Sequence, residues 1–188
     1  VYDMKNDPAE SNKIELTLEA GTYLLGGNNG GDFFYIEVSY TKPSYSIDSD
    51  TVDPALFGSD TKLIQNSTIG TNGSFSVNTL GGKVKRIANK NLIFEERTYV
   101  NALRLDGAAN YSTGQATIGF TTTGPARVTV LAAGKNATSS LSYFDGSTTT
   151  IVDKLVIDTI QKYTFDLTTP GDYKLGALTG GDFYSINV

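Results

Sequence analysis

The chain has 188 residues, with fifteen basic against twenty acidic side chains, a net charge of -5 and a pI near 4.7. That balance speaks against a nucleic-acid binder, which needs a basic stripe. The absence of Cys and His removes disulfides, thiolate and imidazole metal sites, and every triad built on His. Hydrophobic residues at 39% and charged residues at 19% fit a globular chain, and no apolar run reaches the eighteen residues of a membrane span.

In chain order, short alternating runs recur: 13–18 (KIELTL), 33–38 (FFYIEV), 101–105 (NALRL), 116–122 (ATIGFTT), 126–132 (ARVTVLA), 162–167 (KYTFDL) and 183–188 (FYSINV). Each is bounded by Gly, Asn, Asp, Pro or Ser, and no stretch carries apolar residues at helical spacing. Strands of this length between frequent turn signals predict an all-β, antiparallel β-sandwich of jelly-roll type.

The chain also repeats itself. Residues 21–38 (GTYLLGGNNGGDFFYIEV) align without gaps to residues 171–188 (GDYKLGALTGGDFYSINV), with ten of eighteen positions identical. The pairs include Tyr23/Tyr173, Gly26/Gly176, Asp32/Asp182 and Ile36/Ile186. The offset is 150 residues, about one domain. Residues 1–41 therefore read as the C-terminal strands of a first β-sandwich module. Residues 44–188 read as a complete second module, with Pro43 at the junction because proline cannot continue a ladder. A partial tandem repeat leaves the first module without its opening strands. It would then dock on the second module, complete another chain or be the remnant of a longer protein. One sandwich with internal pseudo-symmetry is the alternative. Within the repeat, GGD reads as a tight hairpin turn. Simple alternation puts Phe183, Ser185 and Asn187 on one face of the last strand and Tyr184, Ile186 and Val188 on the other.

From residue 57 to the end, the segments Tyr99 to Gly107 (YVNALRLDG), Val128 to Ser140 and Gly171 to Ile186 carry a likeness. The chain resembles the β-sandwich carbohydrate-binding-type modules appended to bacterial pectate lyases and other polysaccharide-degrading enzymes. The resemblance implies a secreted or cell-surface, non-catalytic module whose partner is a polysaccharide, pectin or another plant glycan. Asn101 and Ala102 stand where that pattern carries a basic pair, leaving Arg104 as the basic residue of the strand.

The residues themselves give candidates. Sugars are held by aromatic rings and by planar polar or charged groups. Trp is absent, so Tyr99, Tyr111, in the polar loop GAANYSTG, Tyr143 and Tyr184 remain as rings, with Tyr111 and Tyr184 the candidates. Arg104 and Asn101 on a strand, Lys83 and Lys85 on one face of a basic strand, and Lys135 with Asn136 in a hairpin loop are the polar candidates. No catalytic residue is expected. Glu95 and Glu96 are adjacent and would point to opposite faces of a strand, which denies a glycosidase its facing acids. No cofactor is expected. Asp48, Asp50 and Asp53 read as a solvated linker, with structural calcium the alternative. Neither nucleic acid nor membrane is an expected partner. Self-association through residues 1–41 suits the other reading of the chain, a structural β-module of a surface adhesin or extracellular filament.

Overall fold

A computed structural model gives the fold, and it describes residues 44–188. The readings placed on residues 1–41, including the first module and its self-association, lie outside the described residues.

Among the described residues fourteen strands follow in order: β1 (Ser46–Asp48), β2 (Ser67–Ile69), β3 (Phe75–Val77), β4 (Val84–Ile87), β5 (Leu92–Phe94), β6 (Arg97–Tyr99), β7 (Ala102–Leu105), β8 (Thr117–Thr122), β9 (Ala126–Gly134), β10 (Ser140–Phe144), β11 (Thr149–Lys154), β12 (Gln161–Leu167), β13 (Gly171–Ala177) and β14 (Gly181–Asn187). Among the described residues only three single-turn 3-10 segments interrupt them. One sheet has the order β12-β9-β14-β7-β4, with β1 also paired to β14; the other has the order β11-β10-β13-β8-β3-β2. All named pairings are antiparallel. A third ribbon, β5-β6, stands apart.

Alternation builds the core between the two large sheets. From the first come Leu103, Leu105, Val128, Val130, Phe183 and Ile186; from the second, Phe75, Ile118, Phe120, Leu141, Tyr173 and Leu175. All are buried, and the apolar area removed from water holds the layers together. The expected antiparallel sandwich is the observed fold.

Its connections differ from the simple hairpins expected. The GGD turn joins β13 to β14, which lie in opposite sheets, so it is an arch across the sandwich. Gly180 takes a φ of +99°, and a Cβ there would sit 2.9 Å from both the Gly107 nitrogen and the Leu105 oxygen. That close approach, with the left-handed backbone, is why glycine occupies the position. Lys135 and Asn136 likewise lie in an arch between β9 and β10, not in a hairpin loop.

The last strand departs from plain alternation. Phe183 pairs with Ala132, but Ser185 pairs with Leu131, so Tyr184 is an extra residue in the ladder with β9. This β-bulge shifts the parity of everything after it. Phe183 and Ile186 consequently share the inner face, a correction to the expected grouping of Phe183 with Ser185 and Asn187. Tyr184 turns to the opposite face, where it forms a second small cluster with Tyr99, Ala102, Leu131, Ala133 and Ile160. The β5-β6 ribbon covers that cluster, and the Tyr99 ring meets Tyr184 edge-on at 5.7 Å.

Glu95 and Glu96 are not strand neighbours. They form the two-residue turn of the β5-β6 ribbon, with Phe94 opposite Arg97 and a positive φ of 53° at Glu95. Asp48 and Asp50 are not linker residues: Asp48 ends β1, and Asp50 accepts from the Asn101 backbone N–H at 2.7 Å.

The bulge makes a testable claim about faces. Phe183→Ala should cost about 3–5 kcal/mol in urea unfolding, whereas Asn187→Ala should cost under about 0.5. Equal costs at the two positions would contradict the parity shift.

Candidate functional site

The outer face of the first sheet gathers most of the candidate residues. Register sets Lys85 of β4 opposite Arg104 of β7, Arg104 opposite Asp182 of β14, and Asp182 opposite Ala133 of β9. Alternation sends all four side chains outward, because Val84, Leu103, Leu105 and Phe183 take the inner face. The arches after β7, β9 and β13 add Asp106, Lys135 and Gly180 at the same end of the sheet.

Asp182 is the buried member, with its side chain 1% exposed. Arg104 donates to both of its oxygens, Nε to Oδ1 at 2.6 Å and Nη2 to Oδ2 at 2.8 Å. Lys90 lies 3.0 Å from Oδ2 and donates to Asp158 at 3.1 Å. A charge this far from water requires such partners, and a bidentate guanidinium supplies them in fixed geometry. The bonds to Asp182 raise the Arg104 pKa above its ordinary value. Burial opposes the charge on Lys90, but the bonds to Asp182 and Asp158 outweigh it, and its pKa is also raised.

Asp106 forms the second node. Lys135 and Lys85 both donate to it, Lys85 at 2.5 Å. First the Lys135 bond and then the Lys85 bond lower its pKa from 3.8 to about 2. Lys83 adjoins this node: its carbonyl accepts from the Asp106 backbone N–H at 2.7 Å. It precedes β4 in a helical backbone conformation, so the expectation that it shares a strand face with Lys85 does not hold. No ion pair to Lys83 occurs among the described residues. This end of the sheet thus carries five cations, Lys83, Lys85, Lys90, Arg104 and Lys135. Three carboxylates, Asp106, Asp158 and Asp182, face them.

The other candidates are spent on the scaffold. Asn101 is 8% exposed and gives its amide to Asp50 at 2.9 Å, while its carbonyl accepts from Ser49. Asn136 accepts from Thr138 and Thr179 and ties the β9-β10 arch to the β13-β14 arch. Tyr184 is fully buried under the ribbon, and desolvation pushes its phenol far above the ordinary value. Tyr111, expected in an open loop, is 9% exposed. It lies on the second sheet, stacked on Phe144 at 5.6 Å and bonded to Ser142 at 2.7 Å. Gly176 makes the room: a Cβ there would lie 3.1 Å from the Tyr111 hydroxyl and 2.6 Å from Ala109. Burial pushes the Tyr111 phenol up to about 12.

Asp48 and Asp53 are also engaged. Arg97 donates to Asp48 at 2.6 Å and lies over the Tyr99 ring at 4.2 Å, and Asp53 accepts from Ala55 in the first 3-10 turn. Among the described residues no group of three or more acidic side chains is placed to hold a metal ion. The parts that sequence reasoning missed are Asp182 as the partner of Arg104, Asp106 as a node, and Lys90. The offset of 78 residues between Arg104 and Asp182 leaves no local signal.

No protein-family model matches the chain, and no curated relative matches it. Among solved structures, an exo-β-1,3-galactanase from Phanerochaete chrysosporium, determined with galactose, is similar at a TM-score of 0.31 and 15% identity. The likeness covers 60% of this chain and 32% of that chain, so it spans about a third of the galactanase's length.

The Asp106 node fixes a pH dependence. Its folded pKa lies below the ordinary value, so its stabilisation is complete above about pH 4 and is lost as the pH falls toward 2. Asp106→Asn should therefore lower the melting temperature at pH 7, and the gap to the parent should close between pH 4 and 2. A gap independent of pH would rule out the ion pairs as its cause.

Proposed function

We propose that the chain is a non-catalytic carbohydrate-binding module of a secreted polysaccharide-degrading protein, and that it takes an acidic plant glycan of the pectin type on the cationic end of its first sheet. The observation that carries this reading is the excess of two cations gathered there, in a chain whose own net charge is -5. A repeating uronate presents carboxylates along its length, and ammonium and guanidinium groups meet them through charge-assisted hydrogen bonds. Lys83, with no ion-pair partner among the described residues, and Lys135, the more exposed of the two lysines on Asp106, are the cations best placed to do so. Lys85 and Arg104 hold the spacing. Each contact on such a wet surface is weak, so useful affinity arises from many repeats of one polymer.

The same geometry favours binding over bond cleavage. Asp106 is held ionised near neutral pH by two lysines, so it has no proton to give as a general acid. Asp182 faces Arg104 and Lys90, not a second acid across a cleft.

In affinity electrophoresis, polygalacturonate in the gel should retard the protein more than xylan or mannan. Retardation should vanish at roughly 1 M salt, where the screening length is about 3 Å. Lys83→Gln should weaken it without changing the melting temperature. Release of reducing ends or unsaturated products from polygalacturonate would contradict the non-catalytic part. Absence of retardation together with polymer formation would favour the structural adhesin or filament reading.

A further inference from the structure

The second sheet carries a polar trough on its outer face that the reading above does not use. Four positions form one row across β2, β3, β8 and β13: Thr68 lies opposite Ser76, Ser76 opposite Gly119, and Gly119 opposite Lys174. Gly119 is the floor. A Cβ there would lie 2.4 Å from the Ser76 Oγ, so the absent side chain gives the Ser76 hydroxyl room to lie over the Gly119 backbone. The loop before β8 and the residues flanking β2 and β3 wall the end, and the depression has a volume of about 530 Å³.

The walls are fixed and still leave donors free. Asn78 donates to the Gly114 carbonyl at 2.7 Å and accepts from Leu80 at 3.1 Å, so its amide is locked. Asn66 accepts from the Thr79 backbone N–H at 2.9 Å, which turns its own NH₂ group away from that contact. No protein partner to that NH₂, or to the Ser76 and Thr68 hydroxyls, occurs among the described residues. Lys174 donates one N–H to the Tyr111 carbonyl at 2.6 Å, which holds the ammonium at the far end of the row. The lining is hydroxyl, amide and backbone groups together with Val77, one cation and no aromatic ring.

We infer that this trough is a second binding site, and that its ligand is a neutral oligosaccharide held by hydroxyl-to-hydroxyl and hydroxyl-to-amide hydrogen bonds. The free hydroxyls of Thr68 and Ser76 and the Asn66 NH₂ match the hydroxyls of a sugar, and no aromatic side chain lines the trough to recruit an aromatic ligand. A single, already bonded ammonium is a poor match for a polyanion, which the opposite sheet meets with an excess of cations. The module would then grip an acidic polymer with one sheet and a neutral polymer or side branch with the other.

The test is an amide-detected NMR titration of the whole chain with neutral hexasaccharides of the xylo, cello, manno and galacto series. Inorganic phosphate and trigalacturonate serve as anionic probes. At least one neutral series should shift the Ser76, Gly119 and Lys174 amides. Ser76→Phe, which fills the trough, and Asn66→Ala, which removes one donor, should each weaken that binding by about tenfold or more. Both should leave retardation by polygalacturonate unchanged, which separates failure of this site from failure of the cationic one. Two variants protect the test if one of them unfolds, as thermal melting will reveal. No shift with any neutral series, shifts with phosphate or trigalacturonate alone, or full binding by both variants would overturn the proposal.

Discussion

The carboxylate of Asp182 lies almost wholly out of water in the middle of the first sheet, and much of the surrounding structure answers to that charge. Arg104 meets it from the next strand with two hydrogen bonds, and Lys90 reaches it from the ribbon above. Removing one partner of a buried pair leaves the other uncompensated, which is far more costly than the pair is stabilising. The position therefore couples β7, β14 and the β5-β6 ribbon. It also fixes where the remaining cations stand, because Lys85 is in register with Arg104 and shares Asp106 with Lys135.

Two residues beyond Asp182, the bulge at Tyr184 divides the last strand into two regimes. Before it, odd positions face the core; after it, even positions do. The extra residue puts Tyr184 under the ribbon and its carbonyl toward the Ser49 N–H, at 2.9 Å, which brings the turn after β1 against the sheet. Asp50 then receives Asn101 at the start of β7. One irregular residue thus links the first and last described strands to the scaffold beneath the cationic end.

Several long strands were legible in the sequence because alternation over five or more residues is a strong signal, whereas β10 and β11 were not: β11 is exposed along almost its whole length and carries no alternation. Stretches 116–122, 126–132 and 162–167 all became strands at nearly those bounds. The three-residue strands β1, β2, β3, β5 and β6 were not read, since three residues cannot show a period of two above chance. The bulge was hidden because Phe183 and Tyr184 are both large and apolar, so FYSINV alone reads as one plain alternation and only the pairing with β9 shows the shift. Among the candidates, Arg104, Lys85 and Lys135 converge, whereas Tyr111 folds down onto Phe144. The loop composition around Tyr111 is polar and gives no hint of Gly176, which sits 65 residues away and provides the space. Ion pairs at such separations are tertiary facts, and a single sequence does not encode them locally.

A double-mutant cycle on Arg104→Met and Asp182→Asn, read by urea unfolding at pH 7, tests most directly whether the buried pair organises this sheet. The account predicts a coupling of about 2–3 kcal/mol between the two changes. A coupling below about 0.5 kcal/mol, with each single variant near the parent in stability, would contradict it.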